Sequence, residues 1–187
     1  MATIGIRRQT AADTSRIRTL TRMAWARMAE HTFHFLATDI QGTERLGAAL
    51  AKVLPDGTTV CLTGTLGAGK TRLVQAIASA CGVNRCDVVS PTFVLCQHYS
   101  AARKFNHLDA YRINDDDEFL ELGVDEMYAS DGITFVEWGE LVKDCLPEDR
   151  VEIRVEVIGE TGRRFHVTSL GEVAPHLCQQ LEDLLAD

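Results

Sequence analysis

Short apolar runs alternate with helical periodicities along most of the chain. A glycine-rich turn joins one such run to a helix, and a strictly alternating stretch doubles back near the C-terminal end. Together these predict an α/β fold: a three-layer sandwich on a mixed, mainly parallel sheet, closed by an antiparallel hairpin. The 187 residues suffice for one core, and 45% apolar with 25% charged residues is ordinary for a globular domain. No apolar run approaches the roughly 18 residues of a spanning helix, so a soluble cytoplasmic protein with no membrane contact is expected. Six cysteines, 61, 81, 86, 96, 145 and 178, lack a C-x-x-C pair and suit buried thiols in a reducing compartment.

Residues 1–30 are set apart by charge. They hold six arginines against Asp13 and Glu30, a net +4, which leaves −12 on residues 31–187 out of a total of −8. This basic N-terminal extension suits a poorly ordered leader, or a start codon placed too early, better than a transit peptide or interaction arm. Residues 31–187 show no repeat or linker and are expected to form one domain. So acidic a body repels nucleic acid, and tRNA would be met only through a partner.

The elements follow in order. His31–Ala37 predicts a strand. Thr38 or Asp39 then caps a helix with Leu46, Leu50, Val53 and Leu54 at helical spacing, ending before Pro55-Asp56-Gly57. Thr59–Thr63 is a buried strand, and Gly64-Thr65-Leu66-Gly67-Ala68-Gly69-Lys70-Thr71 fills every fixed position of G-x-x-x-x-G-K-[ST] before a helix that runs to Cys81 and stops at Gly82. That motif in that context makes the predicted sandwich P-loop NTPase-like. Phe93–Tyr99 and Lys104–Tyr111 predict two more strands. Asn114 starts an acidic helix that Gly123 breaks, Ile133–Trp138 is a buried strand, and Glu140–Leu146 a short helix. Val151–Val157 and Arg164–Leu170 form a hairpin around Gly159–Gly162. A terminal helix carries Val173, Leu177, Leu181 and Leu184 on one side.

The chemistry centres on the loop. Its backbone N–H groups cradle phosphate, Lys70 reaches the β- and γ-phosphates, and the Thr71 hydroxyl offers an oxygen to Mg²⁺. Hydrolysis further needs a carboxylate for the metal and a group that places water. Asp109 and Glu137 each end a strand, where ligands of such sheets bind. Thr92, after the loop helix, is a candidate switch residue, and Trp138 a candidate stacking surface. No N-K-x-D segment for guanine is present, and only Arg163 and Arg164 resemble the arginines of a kinase lid.

Gly64–Thr71, Ser90-Pro91-Thr92, His107-Leu108-Asp109-Ala110-Tyr111-Arg112, Gly123-Val124-Asp125-Glu126 and Val136-Glu137-Trp138 appear in an order and spacing that resemble the TsaE (YjeE) family. The resemblance runs from about Phe33 to the terminal helix. It implies a cytoplasmic bacterial ATPase that binds ATP and Mg²⁺ and supports a TsaD–TsaB enzyme pair in forming the threonylcarbamoyl modification on the tRNA adenosine next to the anticodon. By the same resemblance Thr71 and Glu137 are the Mg²⁺ ligands, Lys70 the phosphate lysine and Asp109 the catalytic carboxylate. Gly64, Leu66, Gly67, Ala68, Gly69, Lys70, Thr71 and Arg72 would contact nucleotide, joined by Thr92, Trp138, Gln41 and Arg163. Thr65 departs from the family, which commonly has Asp there, and nothing is carried onto the arginine-rich leader. The alternatives are a P-loop small-molecule kinase and a nucleotide-gated binding module with little turnover.

Overall fold

The computed structural model describes residues 32–186 apart from Val173 and Pro175; the readings made for residues 1–31 and for Val173 lie outside them. Seven strands form one sheet: β1 (Thr32–Ala37), β2 (Thr59–Thr63), β3 (Cys96–Ser100), β4 (Lys104–Asp109), β5 (Ile133–Glu137), β6 (Arg150–Val157) and β7 (Arg163–Leu170). Their order is β1-β7-β6-β2-β5-β4-β3. The inner four, β6-β2-β5-β4, run parallel, while β7, β1 and β3 join antiparallel at the flanks.

Local chemistry explains the helices. Asp39 caps α1 (Ile40–Val53) by accepting from the Gly42 N–H at 2.9 Å. The apolar stripe read from the sequence turns inward, with Leu46 and Leu50 fully buried. α2 (Lys70–Ala80) starts from the glycine loop and ends one residue before Cys81, followed by left-handed Gly82. α3 (Asp116–Leu120) takes Asp115 as its cap, one residue later than expected. Asp115 Oδ1 accepts from the Glu118 N–H, while Glu118 Oε2 accepts from the Asn114 N–H. Left-handed Gly123 separates α3 from α4 (Val124–Tyr128), and α5 (Leu177–Leu185) closes the chain.

Side chains alternate across a strand, so the central strands build two cores. Val60, Leu62, Ile133, Phe135 and Ile153 meet α1, α2 and α5 on one face. Cys61, Leu108 and Val136 meet Phe119 of α3 and Val124 of α4 on the other. That double cover is why β2 and β5 read as unbroken apolar runs, whereas β6 alternates.

Two segments depart from expectation. Phe93–Leu95 stays out of β3, because Val94 and Leu95 both donate backbone N–H to the Pro91 carbonyl and Leu95 is left-handed at φ 63°. The segment Glu140–Leu146 forms two 3-10 turns, Gly139–Leu141 and Lys143–Cys145, parted by Val142 at φ −126° and ψ 30°. β4 likewise ends at Asp109, with Ala110–Arg112 in a 3-10 turn. Among the described residues no disulfide forms, and no helix is long and apolar enough to cross a membrane.

Candidate functional site

The loop of residues 64–71 leaves β2 and enters α2 beside the C-terminal ends of the parallel strands. Gly64 sits at φ 136°, and a Cβ there would lie 2.4 Å from the Val155 carbonyl oxygen of β6. Only glycine lets the loop turn this close to the neighbouring strand. Gly69, at φ 108°, caps α2 with no side chain, leaving the first helical N–H groups and the positive dipole end directed at the loop. Lys70 is 4% exposed. Its ammonium donates to the carbonyls of Gly64 at 2.8 Å and Thr65 at 3.3 Å, and lies 3.5 Å from the centroid of the Trp138 ring. Two of its three N–H bonds are thus directed at loop carbonyls, and the ammonium faces the indole. Burial holds Lys70 below the ordinary lysine value, while the charges of Glu137, Glu140 and Asp109 pull it back up. Thr65 enters through its backbone oxygen; its side chain is exposed.

Register brings the two strand-end carboxylates together: Asp109 of β4 is the partner of Glu137 of β5. Both are almost fully buried, at 2% and 3% exposure. The Thr71 hydroxyl donates to Glu137 Oε1 at 2.7 Å, and His107 Nε2 lies 2.9 Å from the same oxygen. Asp109 Oδ2 accepts from Ser90 at 2.8 Å and from Thr92 at 2.6 Å, while Oδ1 accepts from the Tyr111 N–H at 2.9 Å. Trp138 follows Glu137 in a left-handed conformation at φ 60° and packs against Tyr111, ring centroids 4.9 Å apart. A non-glycine residue held there carries strain on the order of 1 kcal/mol or more, and its position turns the indole over Lys70. These groups line a cleft of about 380 Å³ with Leu66 and Gly67 at its rim.

Would the cleft suit Mg²⁺? Among the described residues no three His, Cys, Asp or Glu side chains group to hold a metal by themselves. Mg²⁺ is characteristically held by one or two protein oxygens, with phosphates and waters completing an octahedron. Glu137 Oε1 is taken up by Thr71 and His107, while Oε2 accepts no hydrogen bond from the described residues. That free carboxylate oxygen beside the Thr71 hydroxyl suits an ion completed by phosphate and water, and suits poorly a metal that needs a full protein cage.

On the other side of the loop lies a second groove of about 330 Å³, lined by Asp39, Ile40 and Thr43 of the α1 start, Gly67–Gly69, Arg72, Thr161, Arg163 and Phe165. Arg163 ties this wall to the loop. Its Nε donates to the Ala68 carbonyl at 2.7 Å and one terminal nitrogen reaches the Gly67 carbonyl at 3.5 Å. The other reaches carbonyls of the hairpin turn, Gly162 nearest at 2.8 Å. Gln41 is exposed in the first turn of α1, and its neighbours rather than Gln41 line the groove.

The family model described as threonylcarbamoyl adenosine biosynthesis protein TsaE matches residues 37–165. The chain belongs to the TsaE family. The TsaE of Bacillus subtilis is 36% identical over 138 residues, 73% of this chain and 84% of the relative. That of Streptomyces coelicolor is 41% identical over 135 residues, 68% and 90% of the two chains. Both bear the name tRNA threonylcarbamoyladenosine biosynthesis protein TsaE. The crystal structure of Bacillus subtilis YdiB superposes with a TM-score of 0.71 at 26% identity, covering 82% of this chain and 96% of that one. The span matched by the TsaE model contains the loop, both carboxylates and Arg163, and stops short of α5.

Three contributors to this TsaE site escaped the sequence reading. His107 and Ser90 hydrogen-bond the carboxylates. The groove wall of Asp39, Thr43, Thr161 and Phe165 exists only because β1 and β7 pair and carry the hairpin turn back to α1. The carboxylate partners sat inside motifs already singled out, so hydroxyl and imidazole neighbours of a strand-end acid were the signal available.

Proposed function

We propose that this TsaE-family chain is a cytoplasmic Mg²⁺-dependent ATPase that supports TsaD- and TsaB-type proteins in making threonylcarbamoyladenosine on tRNA. The observation that carries the reading is the convergence at the loop mouth: Lys70 and Thr71 at the start of α2, Thr71 bonded to Glu137, and Asp109 across the same cleft. The loop N–H groups and Lys70 bind the phosphates, and Thr71 with Glu137 would hold Mg²⁺. That ion, when bound, offsets the charge gathering on the β- and γ-phosphates. An ionised carboxylate offers about four acceptor positions. Three on Asp109 are filled by Ser90, Thr92 and Tyr111, which fix its direction. The remaining one is suited to accept a hydrogen from the attacking water. The nucleoside end of ATP is assigned to the groove beside Arg72 and Arg163. The acidic body argues for tRNA being reached only through the partner proteins, and no membrane enters the reading.

The test is reconstituted tRNA modification with the TsaD–TsaB pair, with ATP hydrolysis followed in parallel. Lys70→Ala and Glu137→Ala are expected to lose hydrolysis and multi-turnover modification by roughly 100-fold or more while the chain still folds. Full turnover by either variant sinks the site assignment. Phosphate transfer to a metabolite without partners would make the chain a kinase. Partner affinity that switches with nucleotide, while modification ignores hydrolysis, would make it a gated module.

A further inference from the structure

We propose that His107 is a positioning residue for Glu137, holding the carboxylate in the orientation that receives the metal; this rests on the reading of Thr71 and Glu137 as the Mg²⁺ pair. His107 lies in β4 two residues before Asp109, on the same face of the strand, with no exposed surface. Its ring is not part of the cleft lining, so a phosphate or metal bound there would meet Glu137 and not the ring.

Its hydrogen-bonding is one-sided. Nε2 lies 2.9 Å from Glu137 Oε1, and Nδ1 is buried with no partner. A carboxylate only accepts, so Nε2 carries the hydrogen and donates, leaving a lone pair on Nδ1. Burying a polar ring with one nitrogen unpaired is unfavourable, and an apolar side chain would fill the same core volume without that cost. What the imidazole adds is a second donor on one oxygen. Thr71 approaches Oε1 from α2 and His107 from β4. Two donors from two elements fix both the position and the plane of the carboxylate, and neither engages Oε2. Outer partners of this kind set the direction of a metal-binding side chain, and their loss weakens metal binding by roughly 10- to 100-fold.

The experiment uses the full chain with ADP and Mn²⁺, whose binding is read directly by electron paramagnetic resonance. His107→Leu keeps an apolar filling and removes the donor. His107→Gln places an amide nitrogen about as far along the side chain as Nε2, and His107→Asn places it too short. His107→Leu and His107→Asn are expected to weaken Mn²⁺ binding to the ADP complex by roughly 10-fold or more, with His107→Gln within about threefold of the unaltered chain. ADP affinity in a chelator should change by less than about twofold in all three, because the phosphate cradle does not involve the ring. Unaltered Mn²⁺ affinity in His107→Leu overturns the proposal, as does a parallel loss of metal-free ADP binding in all three variants, the mark of a purely structural ring. If His107→Leu does not fold, the comparison of Gln with Asn decides, and equal Mn²⁺ affinities overturn the proposal. A chain that binds Mn²⁺ and ADP yet fails to hydrolyse ATP removes the hydrolysis reading while leaving the His107 comparison intact. A chain that binds no Mn²⁺ overturns both.

Discussion

Replacing Thr71 by Val keeps the shape of the side chain and removes the hydroxyl that donates to Glu137 Oε1. His107 remains on that oxygen, so Glu137 keeps one of its two anchors. The expected effect on folding is about 1 kcal/mol, the net worth of one hydrogen bond. On the proposed reading, the expected effect on Mg²⁺-dependent hydrolysis is larger, roughly 100-fold, because the hydroxyl oxygen assigned to the metal would be lost as well. Denaturant titration and steady-state kinetics of the same preparation separate the two, and a Thr71→Val chain of unaltered rate would remove Thr71 from the metal site. At this scale the carboxylates were legible because each closes an apolar run, where a charged residue has a place only at the sheet end. His107 was not, since a histidine inside a strand reads equally as a polar face, and only the β4–β5 register shows which oxygen it meets.

Among the elements, α1 packs closely on α2 at Gly47. A Cβ added at Gly47 would stand 2.4 Å from Ala76 Cβ and 2.9 Å from the Ala76 carbonyl carbon. Since a backbone atom is in the way, a rotamer change cannot relieve the clash. Gly47→Ala gains about 1 kcal/mol of helix propensity and forces two buried helices apart, at roughly 1–3 kcal/mol. The second effect is expected to win, so the thermal midpoint falls. Because α2 begins with Lys70 and Thr71, the proposed nucleotide binding should weaken with it; isothermal titration and thermal melts check both, and a raised midpoint would contradict the packing argument. The helices themselves were legible from caps and periodicity. The end of β3 was not: Phe93-Val94-Leu95 has strand composition, and a left-handed Leu95 with two N–H groups turned onto Pro91 overrides it. The expected helix at Glu140–Leu146 failed for a related reason, since a seven-residue segment has too few internal hydrogen bonds to hold Val142 helical against its packing.

For the whole molecule, the buried thiols link stability to alkaline pH. Burial, with the Glu152 charge adding to it, pushes Cys61 up to about 12 from an ordinary 9.0. The folded state therefore keeps its proton where the unfolded chain has lost it. The contribution is complete below pH 9 and disappears as pH rises toward 12, with a slope of up to about 1.4 kcal/mol per pH unit from this group. Urea denaturation across that range should show the decline, shallower in Cys61→Ala; an equal slope in the variant would assign the effect elsewhere. The sheet order was the least legible feature at this scale, because the outward growth from β2 to β6, β7 and β1 depends on pairings between distant segments. That order also has a consequence in time. β2 takes both of its neighbours, β5 and β6, from later in the chain, and the arginine that ties down the loop at Ala68 comes 95 residues after it. At about 5–20 residues per second a ribosome needs roughly 5 to 20 s to supply it. During that interval the glycine loop has been made but not tied, so on the proposed nucleotide-binding reading nucleotide capture would be one of the last events in the birth of the molecule.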